Sequence, residues 1–251
     1  MDDCYMPKTE IENTFNFLYG DEKIAYQRLA SIKNMSKVTI KVMPNCSVTA
    51  QADTSISDDA VLQAVKKRAR WIHKKLEDFR LQHDQIKAKQ YISGESHFYL
   101  GRRYMLKVLA DENVKPIIKL SRGKLEAQVK TNNADLVKQL LKEWYKKRAK
   151  LIFNDRLIIA LSQTNWVSQK PPVSIREMTT QWGSCSPSGR LTLNPNLVKA
   201  SKEAIDYVIL HELCHLSEHN HSEKFYRLLN QHLPNWQVIK NELDNQALKY
   251  L

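Results

Sequence analysis

Two histidines, His211 and His215, stand four residues apart in the run Tyr207-Val208-Ile209-Leu210-His211-Glu212-Leu213-Cys214-His215-Leu216. Ile205, Val208, Ile209, Leu213 and Leu216 recur at helical spacing, so one turn of helix stacks both imidazoles on one face. Glu212 lies one residue on, rotated from His211 by about 100° around the axis. From there a carboxylate reaches a metal-bound water without filling a coordination position. The pattern is HExxH: two nitrogen ligands, one general base and room for a third protein ligand. One Zn2+ is the expected ion, because imidazole suits it and hydrolysis needs a redox-inactive Lewis acid. Such an ion brings the pKa of its water from 15.7 to about 7. Glu212 would accept the proton during attack on a carbonyl and pass it to the leaving amine.

The third ligand must come from beyond that turn. His221 is six residues after His215, the separation found in HExxHxxGxxH, where the chain turns back to the metal. The middle glycine of that pattern is Glu218 here, and no methionine follows Met178, so neither its glycine turn nor its Met-turn is present. His219 is the competing ligand, although on a continuing helix it would point outward. Asn220 is the residue suited to the backbone angle that ends the helix.

These groups need elements to hold them. Val38, Ile40 and Val42 alternate as a half-buried strand, with Val48–Ala50 as partner across a Pro44-Asn45 turn. Ser57 is an N-cap for a helix whose apolar residues run Val61, Val65, Ala69, Ile72, Leu76 and Phe79. Strands are expected at Tyr99–Leu109, Ile117–Leu120 and Leu125–Val129. From Asn133 to about Gln163 the apolar period is helical through Leu136, Leu140, Trp144, Ile152 and Ile159, as one long helix or two in tandem. Strands Val173–Met178 and Arg190–Asn194 flank a turn-rich stretch, and helical patterns close the chain. Strands mixed with helices without regular βαβ alternation predict an α+β fold. Residues 1–34 carry no clear pattern and read as an N-terminal extension.

The chain has 251 residues, 42% hydrophobic and 26% charged, enough to bury a core and to exclude wholesale disorder. Lys and Arg number 39 against 27 Asp and Glu, a formal charge of +12. The surplus sits in residues 60–157, with 24 cations against 10 acids, while residues 205–251 hold 4 against 6. Lys66–Lys75 and Trp144-Tyr145-Lys146-Lys147-Arg148 set cations beside aromatics, which suits phosphate contact and base stacking, so nucleic acid is an expected partner of that region. The four cysteines lie far apart with no CxxC, no apolar run is long enough to span a membrane, and the start lacks a secretory pattern. A reduced, cytoplasmic protein is expected.

With these residues in view, the chain resembles the YgjP-like family of metal-dependent hydrolases, zincin-type metallopeptidases related in plan to SprT-like proteins. Trp182-Gly183-Ser184-Cys185-Ser186 with Gly189-Arg190-Leu191-Thr192-Leu193-Asn194 is similar to the family's WGSCS…G…LN stretch. Tyr207–Leu216 is similar to its YVxxHELCHL helix, and Asn220-His221-Ser222 with Phe225 to its NHSxxF continuation. Phe225-Tyr226 departs from the usual Phe-Trp. More loosely, Val38–Arg80, with Trp71-Ile72, resembles the family's N-terminal part.

The resemblance implies a domain over residues 35–251, with its catalytic part at about 134–251. It implies a zincin plan in which a backing helix at about 134–163 and the HExxH helix pack on a small mixed sheet. It implies His211, His215 and His221 as metal ligands and Glu212 as acid/base. The activity implied is peptide-bond hydrolysis by a zinc-activated water. The alternatives are a nucleic-acid-associated zinc protein, in a SprT-like role or with structural zinc, and a zinc hydrolase of a non-peptide amide or ester. Arg190–Asn194 or Val173–Met178 is the expected edge strand for an extended peptide, with Trp182, Leu191, Leu193 and Asn194 as substrate-contacting residues. Cys185 and Cys214 read as small packing residues. No oxyanion stabiliser is legible; Asn194, Tyr226 and His219 are the residues to inspect.

Overall fold

The computed structural model describes residues 14–31, 38–43, 45–85, 88–179 and 181–250. The chain divides into two compact units, Met1–Lys87 and Ala88–Leu251.

The first unit is a four-stranded sheet with two helices. Strands β1 (Thr14–Tyr19), β2 (Glu22–Ser31), β3 (Thr39–Val42) and β4 (Val48–Asp53) lie in the order β1-β2-β4-β3. Strand β3 pairs antiparallel with β4, Ile40 opposite Ala50, as the alternation predicts. Pro44 of the expected turn lies outside the described residues. Residues 14–31, which the sequence left as an extension, share this sheet: β2 runs parallel to β4, with Gln27 opposite Thr49. The pattern of β1 and β2 is too mixed to read without these partners.

Helix α1 (Asp58–Lys67) is capped by Ser57, whose Oγ accepts from the Ala60 N–H at 3.3 Å. The single helix expected onward from Ser57 breaks at Arg68 (φ −108°, ψ 12°) and resumes as α2 (Ala69–Gln85). Val61, Val65, Ala69, Ile72 and Leu76 nevertheless keep one buried face against Phe17, Ile24, Tyr26, Ile40 and Ala50.

The second unit opens with a mixed sheet of β5 (Ser96–Tyr99), β6 (Arg102–Ala110), β7 (Ile117–Ser121) and β8 (Lys124–Val129), ordered β5-β6-β8-β7. The strand expected from Tyr99 to Leu109 is instead a hairpin turning at Leu100-Gly101, both with positive φ (48° and 76°). A Cβ on Gly101 would sit 3.2 Å from Ser201 Cα, so the tip demands glycine for space as well as angle. The Leu100 and Gly101 N–H groups donate to the Val198 and Lys199 carbonyls at 2.9 and 3.1 Å.

Helix α3 (Ala134–Gln163) is continuous over 30 residues and capped by Asn133, whose Oδ1 accepts from Leu136 N–H at 3.1 Å. Its buried line is Val137, Leu141, Tyr145, Ala149, Phe153, Leu157 and Ala160. That line lies one residue on from Leu136, Leu140 and Trp144, which are half-buried, while Ile159 is exposed. Strands β9 (Val173–Ile175), β10 (Gly183–Cys185) and β11 (Leu191–Leu193) form a small mixed sheet ordered β10-β11-β9. A 3-10 helix (Pro195–Lys199) then leads to α4 (Lys202–Ser217), α5 (Glu223–His232), α6 (Trp236–Asn245) and α7 (Ala247–Tyr250). The Arg156 guanidinium grips the Asp206 carboxylate with two hydrogen bonds and so joins α3 to α4. The fold is α+β with a small mixed sheet, a backing helix and an HExxH helix, as expected. Among the described residues no helix is long and apolar enough to cross a membrane.

Candidate metal centre

Helix α4 starts at Ser201, whose Oγ accepts from Ala204 N–H at 3.2 Å. It is buried nearly all round, through Ala204, Ile205, Tyr207–Leu210 and Glu212–Cys214. A helix sheathed this way cannot shift along its axis without opening voids, so its histidines are held by packing. The helix ends at Glu218 in extended conformation (φ −126°, ψ 97°), whereas Asn220 was the expected terminator. Asn220 does not take a left-handed angle; its carbonyl accepts from Ser222 N–H at 2.7 Å in a tight turn. Ser222 then caps α5, its Oγ accepting from Phe225 N–H at 3.2 Å.

This return brings His221 to the helical pair. One ligand nitrogen from each of His211, His215 and His221 lies within 4.8 Å of the others. The rings form a nearly equilateral triangle, with centroid separations of 5.1, 4.9 and 4.8 Å. His219 is exposed and outside the triangle. Phe225 is fully buried, and its ring centroid is 4.9, 4.7 and 4.8 Å from those of His211, His215 and His221. It is the common floor of the triad. Sequence reasoning noted Phe225 only as part of a motif; its position at the third residue of α5, capped by Ser222, is the signal that would have placed it.

The protonation chemistry suits a cation. His215 Nδ1 lies 3.2 Å from the Glu218 carbonyl oxygen, which can only accept, so Nδ1 carries the proton and Nε2 keeps a lone pair. His211 Nε2 and His221 Nε2 are 3.0 Å apart, against the roughly 3.3 Å spanned by two nitrogens on a tetrahedral zinc. Burial, then the neighbouring His221 and His215, push His211 down to about 3, so it stays neutral. Burial also lowers His215. Neutral imidazole is the ligating form. His211 Nδ1 is buried without a hydrogen-bond partner, and no other described side-chain nitrogen or oxygen shares that condition. The donor set therefore fits a divalent ion of zinc type.

Glu212 is 5% exposed, and burial pushes its carboxyl up to about 8. It lies beneath strand β10: a Cβ on Gly183 would meet Glu212 Oε1 at 2.8 Å and Cγ at 2.9 Å. Gly183 is thus the residue that lets backbone pass over the carboxylate, and WGSCS carries a glycine there for space.

The expected substrate residues are placed differently. β11 is the central strand of its sheet, so Arg190–Asn194 offers no edge, whereas the alternative, Val173–Met178, holds the edge strand β9; Leu191 and Leu193 are each 1% exposed and belong to the core. Asn194 is fully buried; its amide donates to the Met178 and Gln181 carbonyls at 2.7 and 3.1 Å, and its Oδ1 caps the 3-10 helix. The side chains of these three are therefore packed inward, as the apolar face of an alternating strand is. Trp182 is half-buried, its ring 6.4 Å from that of Tyr250. Cys185 is half-buried, and Cys214 is buried with its thiol pushed up to about 12, so it stays protonated. Tyr226 is 40% exposed and stacks between His221 and Trp236, with centroids at 6.1 and 5.4 Å.

A metallopeptidase architecture is what this helix, triad and carboxylate describe. The chain belongs to the YgjP-like family: the model of the YgjP-like metallopeptidase domain matches residues 36–246. No curated protein matches it. Two solved structures are similar to part of it. One is the metallopeptidase zymogen of Pyrococcus abyssi abylysin, 25% identical, covering 36% of this chain and 90% of that one, TM-score 0.34. The other is the zymogen of Methanocaldococcus jannaschii jannalysin, 26% identical, covering 39% of this chain and 96% of that one, TM-score 0.32.

Proposed function

We propose that the protein is a zinc-dependent peptidase in which His211, His215 and His221 hold one Zn2+ and Glu212 moves the proton. The observation that carries this reading is the convergence of three imidazole nitrogens within 4.8 Å of one another, on the same helix as a buried carboxylate. A bound zinc ion supplies Lewis acidity, polarising a carbonyl and lowering the pKa of water towards about 7. Glu212 takes a proton from the attacking water and returns it to the departing amine nitrogen. The carboxyl is 5% exposed, so bulk water does not compete for the proton between the two transfers. His215, oriented through Nδ1 by the Glu218 carbonyl, and His221, backed by Phe225, keep the donor atoms aimed.

Strand β10 is an edge of its sheet beside Glu212, so an extended peptide laid along it by main-chain hydrogen bonds would bring a carbonyl towards the triad. Three free cysteines among the described residues favour a reducing compartment, in keeping with the cytoplasm.

Metal analysis combined with a peptide-cleavage assay tests the reading. Glu212→Gln keeps one zinc per chain and loses at least about a hundredfold in kcat, as removal of a general base requires. Zinc absent from wild-type protein refolded with an excess of the ion would overturn it, as would a Glu212→Gln variant of full activity.

A further inference from the structure

The first unit carries a groove that the peptidase reading does not use. It is shallow and open to solvent, with a volume of about 530 Å³, and is lined by Lys67, Arg68, Arg70, Trp71 and Lys74, at the break between α1 and α2. Residues 66–75 hold six cations and no acid. Among the described residues, none of the four cations lining the groove takes part in an ion pair. Trp71 is 41% exposed between them, although its neighbour Ile72 is fully buried.

We propose that this groove binds single-stranded nucleic acid, the four cations contacting phosphates and Trp71 stacking on a base. Unpaired cations around a concave surface attract a polyanion, and an exposed indole beside them offers the π-face that an unstacked base takes up. The second basic-aromatic stretch lacks that feature. Tyr145 is buried with its hydroxyl donating to the Phe98 carbonyl at 2.7 Å, and Trp144 packs edge-on to Tyr99 at 5.0 Å. A membrane surface fits less well. Interfacial helices spend a broad apolar face on lipid, whereas Val61, Val65, Ile72 and Leu76 are spent on the core here. A duplex hides its base faces and leaves Trp71 without a role.

The test is fluorescence anisotropy with the full chain and a labelled 20-mer of dT, with chelator present so that the outcome is independent of the metal centre. Four neutralised phosphates predict a slope of log affinity on log salt of about −2.8. Arg70→Gln with Lys74→Gln reduces that slope by about 1.4. Trp71→Ala weakens binding roughly 5- to 150-fold at an unchanged slope, and Trp71→Phe recovers part of the loss. The altered side chains are exposed, so circular dichroism should show an unchanged fold; Lys224→Gln, on α5, is the control that leaves binding intact. Absence of binding, a silent Trp71→Ala, or tighter capture of duplex DNA or of phosphatidylserine vesicles would overturn the proposal.

Discussion

His211 Nε2 and His221 Nε2 lie 3.0 Å apart although ten residues separate them. They come from different elements, α4 and the turn before α5, and without an ion one Nε2–H would donate to the other ring's lone pair. On the zinc reading proposed above, the same two nitrogens turn to one ion instead, His211 and His221 each giving it a lone pair.

His221→Ala should therefore lower zinc affinity by at least a hundredfold, while His219→Ala, whose side chain lies outside the triad, changes it less than threefold. Isothermal titration with competing chelator reads both. Equal losses would remove His221 from the ligand set.

Gly183→Ala should keep the metal and lose activity. The added methyl would sit 2.8 Å from Glu212 Oε1, so the carboxylate or strand β10 must move. A displacement of about 1 Å at a catalytic group can cost about a hundredfold in rate. Metal content at wild-type level beside a collapsed kcat is the expected signature; unchanged kcat would mean the strand yields without cost.

Phe225→Ala should destabilise the second unit by about 3–5 kcal/mol, the usual cost of emptying a fully buried phenyl site. Zinc affinity falls with it, because all three imidazoles rest on that ring. Phe225→Leu should recover most of the stability but less of the affinity. Denaturant melts with and without zinc separate the two effects.

Acid should weaken the second unit through His97. Burial first, then Lys89, push this histidine down to about 4, against the opposing pull of Glu95 at 3.2 Å. Its folded pKa is depressed, so the unfolded chain binds the proton more readily. The neutral ring's contribution is complete above about pH 6.5 and is lost as pH falls from there to about 4. The loss is at most about 3 kcal/mol. His97→Gln should flatten stability against pH in that window relative to wild type, read by urea titration at several pH values. Parallel curves would remove His97 from the acid response.

Much of the site was legible because its chemistry is local. His211, Glu212 and His215 fall on one turn of helix, where spacing dictates direction, and the apolar residues between them announce the burial that raises Glu212. The choice between His219 and His221 was not local. It depended on where α4 stops, and the chain leaves the helix at Glu218 rather than by a left-handed Asn220. The edge expected at Arg190–Asn194 has the same origin: nothing local in that stretch tells that β9 and β10 pair with both edges of β11.

The order of residues by itself determined the reactive helix, the α+β class and the lopsided charge, since each follows from neighbours within a turn or a strand. Packing alone decided that Phe225 supports three imidazoles, that Gly183 makes room for Glu212, and that Trp71 stays exposed while Trp144 turns inward. Those relations join residues far apart in the chain, and a one-dimensional pattern carries no term for which distant surface will cover a given side chain.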